Sequence, residues 1–445
     1  MKGGWQLAVS SWRLAVGGWQ PAVRRWQVAG GSVFLAILAS VAPMAGQQAA
    51  APPFRPAVQA GNLLYLSGAL PTGPDGRIIA GDIATQTRRA LDNLKGVLEA
   101  HGASIARVAA VSVYLKRASD FAAMNEAYRT YWPSDPPART TVVANLVVPD
   151  ALVEIGMIAV TGTAERTVVH PATWVKSPNP YSYAVRSGDT LFLSGLVPRK
   201  GSDNSPVKGD IGVQTKAVLD NAGEILKAAG MDYRDVVSAR VFLTDTASFD
   251  AMNTAYRAYF PKDPPARATV RAGLTSPDYL VEIALTVVAT RDRLAVTTPN
   301  ADGSPGRPNP NLSSAIRAGS RLFLSGMLGT TDAGAGDVAT QTREALARIG
   351  RTLQAAGFEW NQVVDSTVYL TDVMRAPAMN EAYRPVLGPA FPARATFEAG
   401  LMSPAAVVEI MMSAVKGSGP RVPGSSRGVE AQNSQRMPAM GRRPH

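Results

Sequence analysis

The chain repeats itself three times. A first set of segments, AVQAGNLLYLSGAL from Ala57, GDIATQTRRALDNL from Gly81, AAMNEAYRTYW from Ala122, PPARTTV from Pro136 and ALVEIGMIAV from Ala151, is answered by AVRSGDTLFLSGLV, GDIGVQTKAVLDNA, DAMNTAYRAYF, PPARATV and YLVEIALTVV. The third set reads AIRAGSRLFLSGML, GDVATQTREALARI, PAMNEAYRPVL, FPARATF and AVVEIMMSAV. The Arg of the PAR motif moves from Arg139 to Arg267 to Arg394, steps of 128 and 127 residues. A period of that length is a whole domain rather than a solenoid turn. Three folded units also suit a chain of 445 residues, given an ordinary domain of roughly 150.

The periods inside one repeat can be read directly. Residues 63–66 are a short apolar run closed by Ser67-Gly68, which predicts a strand. Asp82 stands where an N-cap belongs, ahead of Ile83, Leu91, Leu94, Val97 and Leu98 at helical spacing, and Gly102 supplies the stop. The β-branched stretch 108–115 predicts a second strand, and 121–131 a second helix ended by Pro133. Residues 139–148 and 152–160 flank Pro149-Asp150 and predict an antiparallel hairpin. The sum is an α+β domain, a mixed sheet with two helices on one face. Domains are expected at 54–163, 178–290 and 309–417, with Pro-, Gly- and Ser-rich linkers at 164–177 and 291–308.

The net charge of +11 suggests nucleic acid, but its placement argues against that reading. Residues 1–50 carry Lys2, Arg13, Arg24 and Arg25 with no acid, and 418–445 carry five Arg against Glu430, so the repeats themselves are close to neutral. Absence of cysteine excludes disulfides, thiolate metal sites, cysteine nucleophiles and a lipoprotein anchor, and with three histidines in all a histidine metal cluster is hard to assemble. The apolar run 28–42 after Arg24-Arg25 has the length of a signal-peptide core. Residues 1–50 therefore read as a signal or leader, in which a Trp5, Trp12, Trp19, Trp26 period precedes the apolar run, and 418–445 as a disordered basic tail. Export to a periplasmic or extracellular location follows, with no stable membrane anchor after processing.

Taken together, the Ser-Gly after the first strand, the MN-x-AY helix, the PAR motif and the Glu of VEI fifteen residues beyond its Arg resemble the RidA family, also called YjgF or liver perchloric-acid-soluble protein, of enamine and imine deaminases. The resemblance runs the length of all three repeats. It implies a chorismate-mutase-like fold, homotrimeric in the family with ligand sites between protomers, so three tandem copies imply a monomeric pseudo-trimer closed within one chain. It also implies site residues. The carboxylate-binding Arg falls on Arg139, Arg267 and Arg394, and the water-positioning Glu on Glu154, Glu282 and Glu409. The Ser-Gly facing the ligand falls on Ser67-Gly68, Ser194-Gly195 and Ser325-Gly326, and the helix Asn on Asn125, Asn253 and Asn380. A family Tyr falls on Phe54, Tyr181 and Leu312, so only the second repeat keeps the phenol and the three sites are expected to be unequal. A position that is often Cys is Thr141, Thr269 and Thr396.

These residue types suit the chemistry without the family. A guanidinium fork grips the carboxylate of a 2-imino acid through two parallel hydrogen bonds, and a carboxylate in a partly buried cleft can deliver water to the adjacent C=N carbon. No metal or organic cofactor is required. The competing reading makes Arg and Glu an ion pair within the hairpin; Tyr128, Tyr256 and Tyr383 are assigned to packing, and Ser-Gly can be a strand-end turn. Three functions compete: a 2-iminobutanoate/2-iminopropanoate type deaminase acting on a small molecule, a non-catalytic small-carboxylate binding module, and an endoribonuclease. The last has least support, since the chain offers neither a His pair nor a basic face.

Overall fold

The computed structural model describes residues 52–417 except 332 and 333; the leader and tail expectations for 1–50 and 418–445 fall outside the described residues. The first repeat runs β1 (Ala57–Ala60), β2 (Leu63–Ala69), α1 (Ile83–Ala100), β3 (Val108–Leu115), α2 (Phe121–Arg129), β4 (Ala138–Val143) and β5 (Val153–Val160). α1 starts where the sequence places its cap: the Asp82 side chain accepts from the Thr85 N–H, and Gly102 just past its end has φ +68°. The second repeat runs β6 (Thr167–Val169), β7 (Ala184–Ser187), β8 (Thr190–Leu193), α3 (Ile211–Ala228), β9 (Val236–Leu243), α4 (Phe249–Arg257), β10 (Ala266–Arg271) and β11 (Val281–Val288). The third runs β12 (Arg293–Val296), β13 (Ala315–Ala318), β14 (Arg321–Leu324), β15 (Met327–Leu328), α5 (Val338–Ala355), β16 (Val363–Leu370), α6 (Ala376–Leu387), β17 (Ala393–Glu398), β18 (Gly400–Leu401) and β19 (Val408–Val415).

Two expectations need correction. The stretches 164–177 and 291–308 are not plain linkers, because β6 pairs antiparallel with β7 and β12 with β13, each adding a strand to the sheet of the repeat that follows. Nor is there a hairpin: the first sheet has the order β1-β2-β5-β3-β4, so β3 separates β4 from β5. β3 runs parallel to β4 and antiparallel to β5. A turn signal at Pro149-Asp150 reports a chain reversal but not which strand the returning chain meets.

Each sheet has two differently used faces. In β3, Val111, Val113 and Leu115 pack with Leu91, Leu94, Met124 and Tyr128 of the helices. The alternate residue Tyr114 points the other way, into a core shared by all three repeats with Phe242, Tyr369 and Phe397. There Tyr114 stacks on Phe397 at 4.1 Å. Neighbouring repeats are also stitched by backbone: Val143 and Gly273 exchange both N–H···O bonds, at 2.8 and 2.9 Å, and β10 pairs with β18. Strand residues of all three repeats line a further cavity of about 130 Å³, where the Arg240 Nη1 donates to Ser112 Oγ at 3.0 Å.

Candidate active site in the clefts between repeats

The face rule decides where the Arg and Glu go. Arg139 on β4 stands opposite Val111, which faces the helices, whereas Glu154 on β5 stands opposite Tyr114, which faces the shared core. Residues paired across adjacent strands share a face, so Arg139 and Glu154 leave their sheet on opposite sides. The within-repeat ion pair does not form. Instead each Arg meets the Glu of a different repeat: the charge on Arg139 acts on Glu282, that on Arg267 on Glu409, and that on Arg394 on Glu154. The three clefts thus run from the first repeat to the second, the second to the third, and the third back to the first.

Each Arg is held the same way from below. The Arg139, Arg267 and Arg394 side chains are nearly fully buried, and their guanidinium carbons lie 4.7, 4.6 and 5.0 Å from the rings of Tyr128, Tyr256 and Tyr383. The assignment of these tyrosines to packing alone therefore misses a cation–π floor; the fixed spacing from the helix Asn was the signal that could have found it. Arg139 Nη2 donates to Asn125 Oδ1 at 2.7 Å, and Arg267 Nη2 to Asn253 Oδ1 at 2.6 Å. In the third repeat the Asn380 oxygen has no hydrogen-bond partner, so this brace is missing. The Nε and Nη1 of Arg139 and Arg267, and Nη1 of Arg394, have no acceptor in the protein although they are buried. Buried donors are nearly always satisfied, so these nitrogens are open to an acceptor from outside the protein.

The Ser residues do something other than expected. The Arg139 N–H donates to Ser194 Oγ at 2.8 Å while that hydroxyl donates to Ser182 O at 2.6 Å. Ser325 does the same for Arg267, and Ser67 for Arg394. With its proton given and a lone pair taken, each hydroxyl pins the neighbouring repeat's Arg strand rather than facing a ligand. The following glycine is the residue that matters to the cleft. A Cβ on Gly68, Gly195 or Gly326 would lie 1.9, 1.8 or 1.7 Å from Oε1 of Glu154, Glu282 or Glu409. Only glycine lets the carboxyl come that close to the backbone.

The Glu282 Oε1 also accepts from the Thr141 N–H at 3.1 Å, so the Thr141 position serves through its amide. Burial pushes the carboxyl of Glu282 up to about 7, and those of Glu154 and Glu409 up to about 8, against the opposing pull of a facing Arg and, for Glu154 and Glu282, a backbone N–H. Burial also draws each guanidinium down.

The clefts are unequal. Tyr181 lies 5.8 Å from the Arg139 guanidinium carbon, and Phe54 lies 5.4 Å from that of Arg394. Leu312 brings no ring to the cleft of Arg267. Only the first cleft therefore joins the phenol to an Arg, and that Arg belongs to the preceding repeat. Arg139, Thr141, Tyr181, Gly195 and Glu282 line one cavity of about 180 Å³.

The Endoribonuclease L-PSP family matches the chain at residues 45–161, 173–289 and 306–416. A RutC family protein of Sulfurisphaera tokodaii is 48% identical over 110 residues, 25% of this chain and 88% of the relative. The 3-aminoacrylate deaminase RutC of Acinetobacter baylyi is 39% identical over 105 residues, 24% of this chain and 83% of the relative. Among solved structures, RidA from the Antarctic bacterium Psychrobacter is 28% identical, covering 27% of this chain and 98% of its own with a TM-score of 0.26. The chain thus belongs to the Endoribonuclease L-PSP family, the RidA family of the sequence reading, as three fused copies.

Proposed function

We propose that the clefts bind 2-imino or enamino acids and hydrolyse them to 2-oxo acids and ammonia. The observation that carries this reading is the pair of buried, unaccepted donors Nε and Nη1 on Arg139 and on Arg267, each facing the raised carboxyl of the next repeat. A substrate carboxylate satisfies both donors at once and fixes one face of its C=N toward the Glu. Water then adds to that carbon: the carboxylate form of the Glu takes the water proton, and its protonated form returns a proton to nitrogen. The resulting carbinolamine releases ammonia as its C=O forms. A carboxyl titrating near 7 is suited to both halves of that exchange. The Acinetobacter relative is named as a 3-aminoacrylate deaminase, which supports hydrolysis of a small enamino carboxylate, although there the nitrogen sits one carbon farther from the carboxylate.

The endoribonuclease label of the family finds little in these clefts. His101 bonds its own helix at Val97 O, and His170 bonds Trp174 O. The deciding assay supplies freshly generated 2-iminopropanoate and 2-iminobutanoate, traps what remains with semicarbazide, and compares the wild type with a triple Arg139→Ala, Arg267→Ala, Arg394→Ala variant. Catalysed loss of imine in the wild type alone is the expected result. A folded wild type that binds 2-oxobutanoate without accelerating imine loss is a small-carboxylate binding module instead.

A further inference from the structure

The first cleft is lined by a second guanidinium, at a position where the other two repeats carry threonine. Arg199 lies four residues beyond Gly195 and lines the same cavity as Arg139 and Glu282. The corresponding residues after Gly68 and Gly326 are Thr72 and Thr330. Tyr279, three residues before Glu282, is likewise particular to this cleft, since Ala151 and Ala406 stand at its place.

Arg199 is held ready. Its Nε donates to Asn204 O at 2.7 Å, its Nη1 donates to the Tyr279 hydroxyl at 2.6 Å, and Asn221 Nδ2 donates to its carbonyl. None of the hydrogen bonds among the described residues uses its Nη2, and no carboxylate lies within 4.0 Å of it there. Tyr181 lines the same cavity as both guanidinium groups, and the charges of Arg139 and Arg199 both act on its phenol. The cavity therefore presents two fixed cations against one carboxyl, Glu282, that burial keeps largely neutral below about pH 7. A monocarboxylate leaves one of those cations uncompensated, and a dianion compensates both. At about 180 Å³ the space is a little larger than the roughly 150 Å³ that encloses a benzene ring, which admits a four- or five-carbon diacid.

We propose that the cleft between the first and second repeats selects a 2-imino acid with a second carboxylate, with Arg139 gripping the carboxylate beside the reacting carbon and Arg199 the distal one. This rests on the carboxylate-binding reading of the clefts, and the test separates the two by measuring binding of stable 2-oxo acids rather than turnover. Isothermal titration of the full chain with 2-oxoglutarate and with 2-oxobutanoate should show the diacid about 10- to 100-fold tighter, as expected for one added charge-assisted pair. The tight diacid site should be filled once per chain. Arg199→Thr, which installs the residue of the other two repeats, should bring the affinity ratio close to one. Arg199→Met, which keeps the packed stem, should do the same if the Thr variant fails to fold. Arg234→Ala, which removes an exposed charge elsewhere, should leave the ratio unchanged. Equal wild-type affinities, or a ratio that survives both Arg199 variants, overturns the proposal while leaving the carboxylate reading intact. Failure of both acids to bind overturns both readings.

Discussion

Replacing Glu282 with Gln tests whether burial or the facing Arg139 controls the cleft carboxyl. The side chain is only 3% exposed and burial is the largest influence on it, so its carboxyl titrates near 7 in the fold and near 4.5 in the open chain. A group whose pKa rises on folding favours the fold fully below its unfolded value and loses that contribution as pH climbs through the folded one. For Glu282 the window is therefore pH 4.5 to just above 7. At 1.36 kcal/mol per pH unit the ionised group destabilises the fold by about 3 kcal/mol at pH 9 relative to pH 4. Gln has the same shape, keeps an oxygen for the Thr141 N–H that donates at 3.1 Å, and carries no charge. Urea unfolding at intervals from pH 4 to pH 9 should show Glu282→Gln gaining about 3 kcal/mol on the wild type across that window, with the difference flat below pH 4.5. A difference that does not change with pH, or a variant that loses ground as pH rises, refutes the reasoning and means that Arg139 holds the carboxylate ionised.

The other expectations concern geometry and assembly. Arg139→Ala should remove most of the imine hydrolase rate and Arg394→Ala little, because Tyr181 and the Asn125 brace belong to the first cleft; losses of about a third from each of the three Arg variants would mean equal, independent sites. Gly195→Ala forces the Glu282 carboxyl away from a methyl that would sit 1.8 Å from it. Its melting temperature should fall by the equivalent of about 1 to 3 kcal/mol, and the rate in that cleft by about 100-fold. Since each Arg strand is already pinned by a Ser of another repeat in the same chain, light scattering on a sizing column should return the mass of one chain. A stable trimer of chains would mean that the repeats seek partners elsewhere.

What the sequence determined by itself was local or repetitive. Three copies of one domain, the α1 start at Asp82, and β3 over 108–115 all follow from period, cap chemistry and β-branching, which act within a few residues and need no partner. Glycine at 68, 195 and 326, Arg at 139, 267 and 394 and Glu at 154, 282 and 409 were legible as a recurring set for the same reason. Tertiary structure decided what each of them touches. That β3 lies between β4 and β5 is a choice of long-range pairing, which a turn signal does not encode. The choice puts Arg139 and Glu154 on opposite faces of one sheet, and each finds its counterpart across a boundary between repeats. Ser194 is committed to the Arg139 backbone 55 residues away, and the Tyr128 ring lies under a guanidinium, because packing brings them within reach and burial leaves their polar or aromatic groups no better partner. The inequality of the clefts was visible as the phenol of Tyr181. Its pairing with Arg139 depended on how the three repeats meet in space, where contact is set by the packed faces and not by distance along the chain.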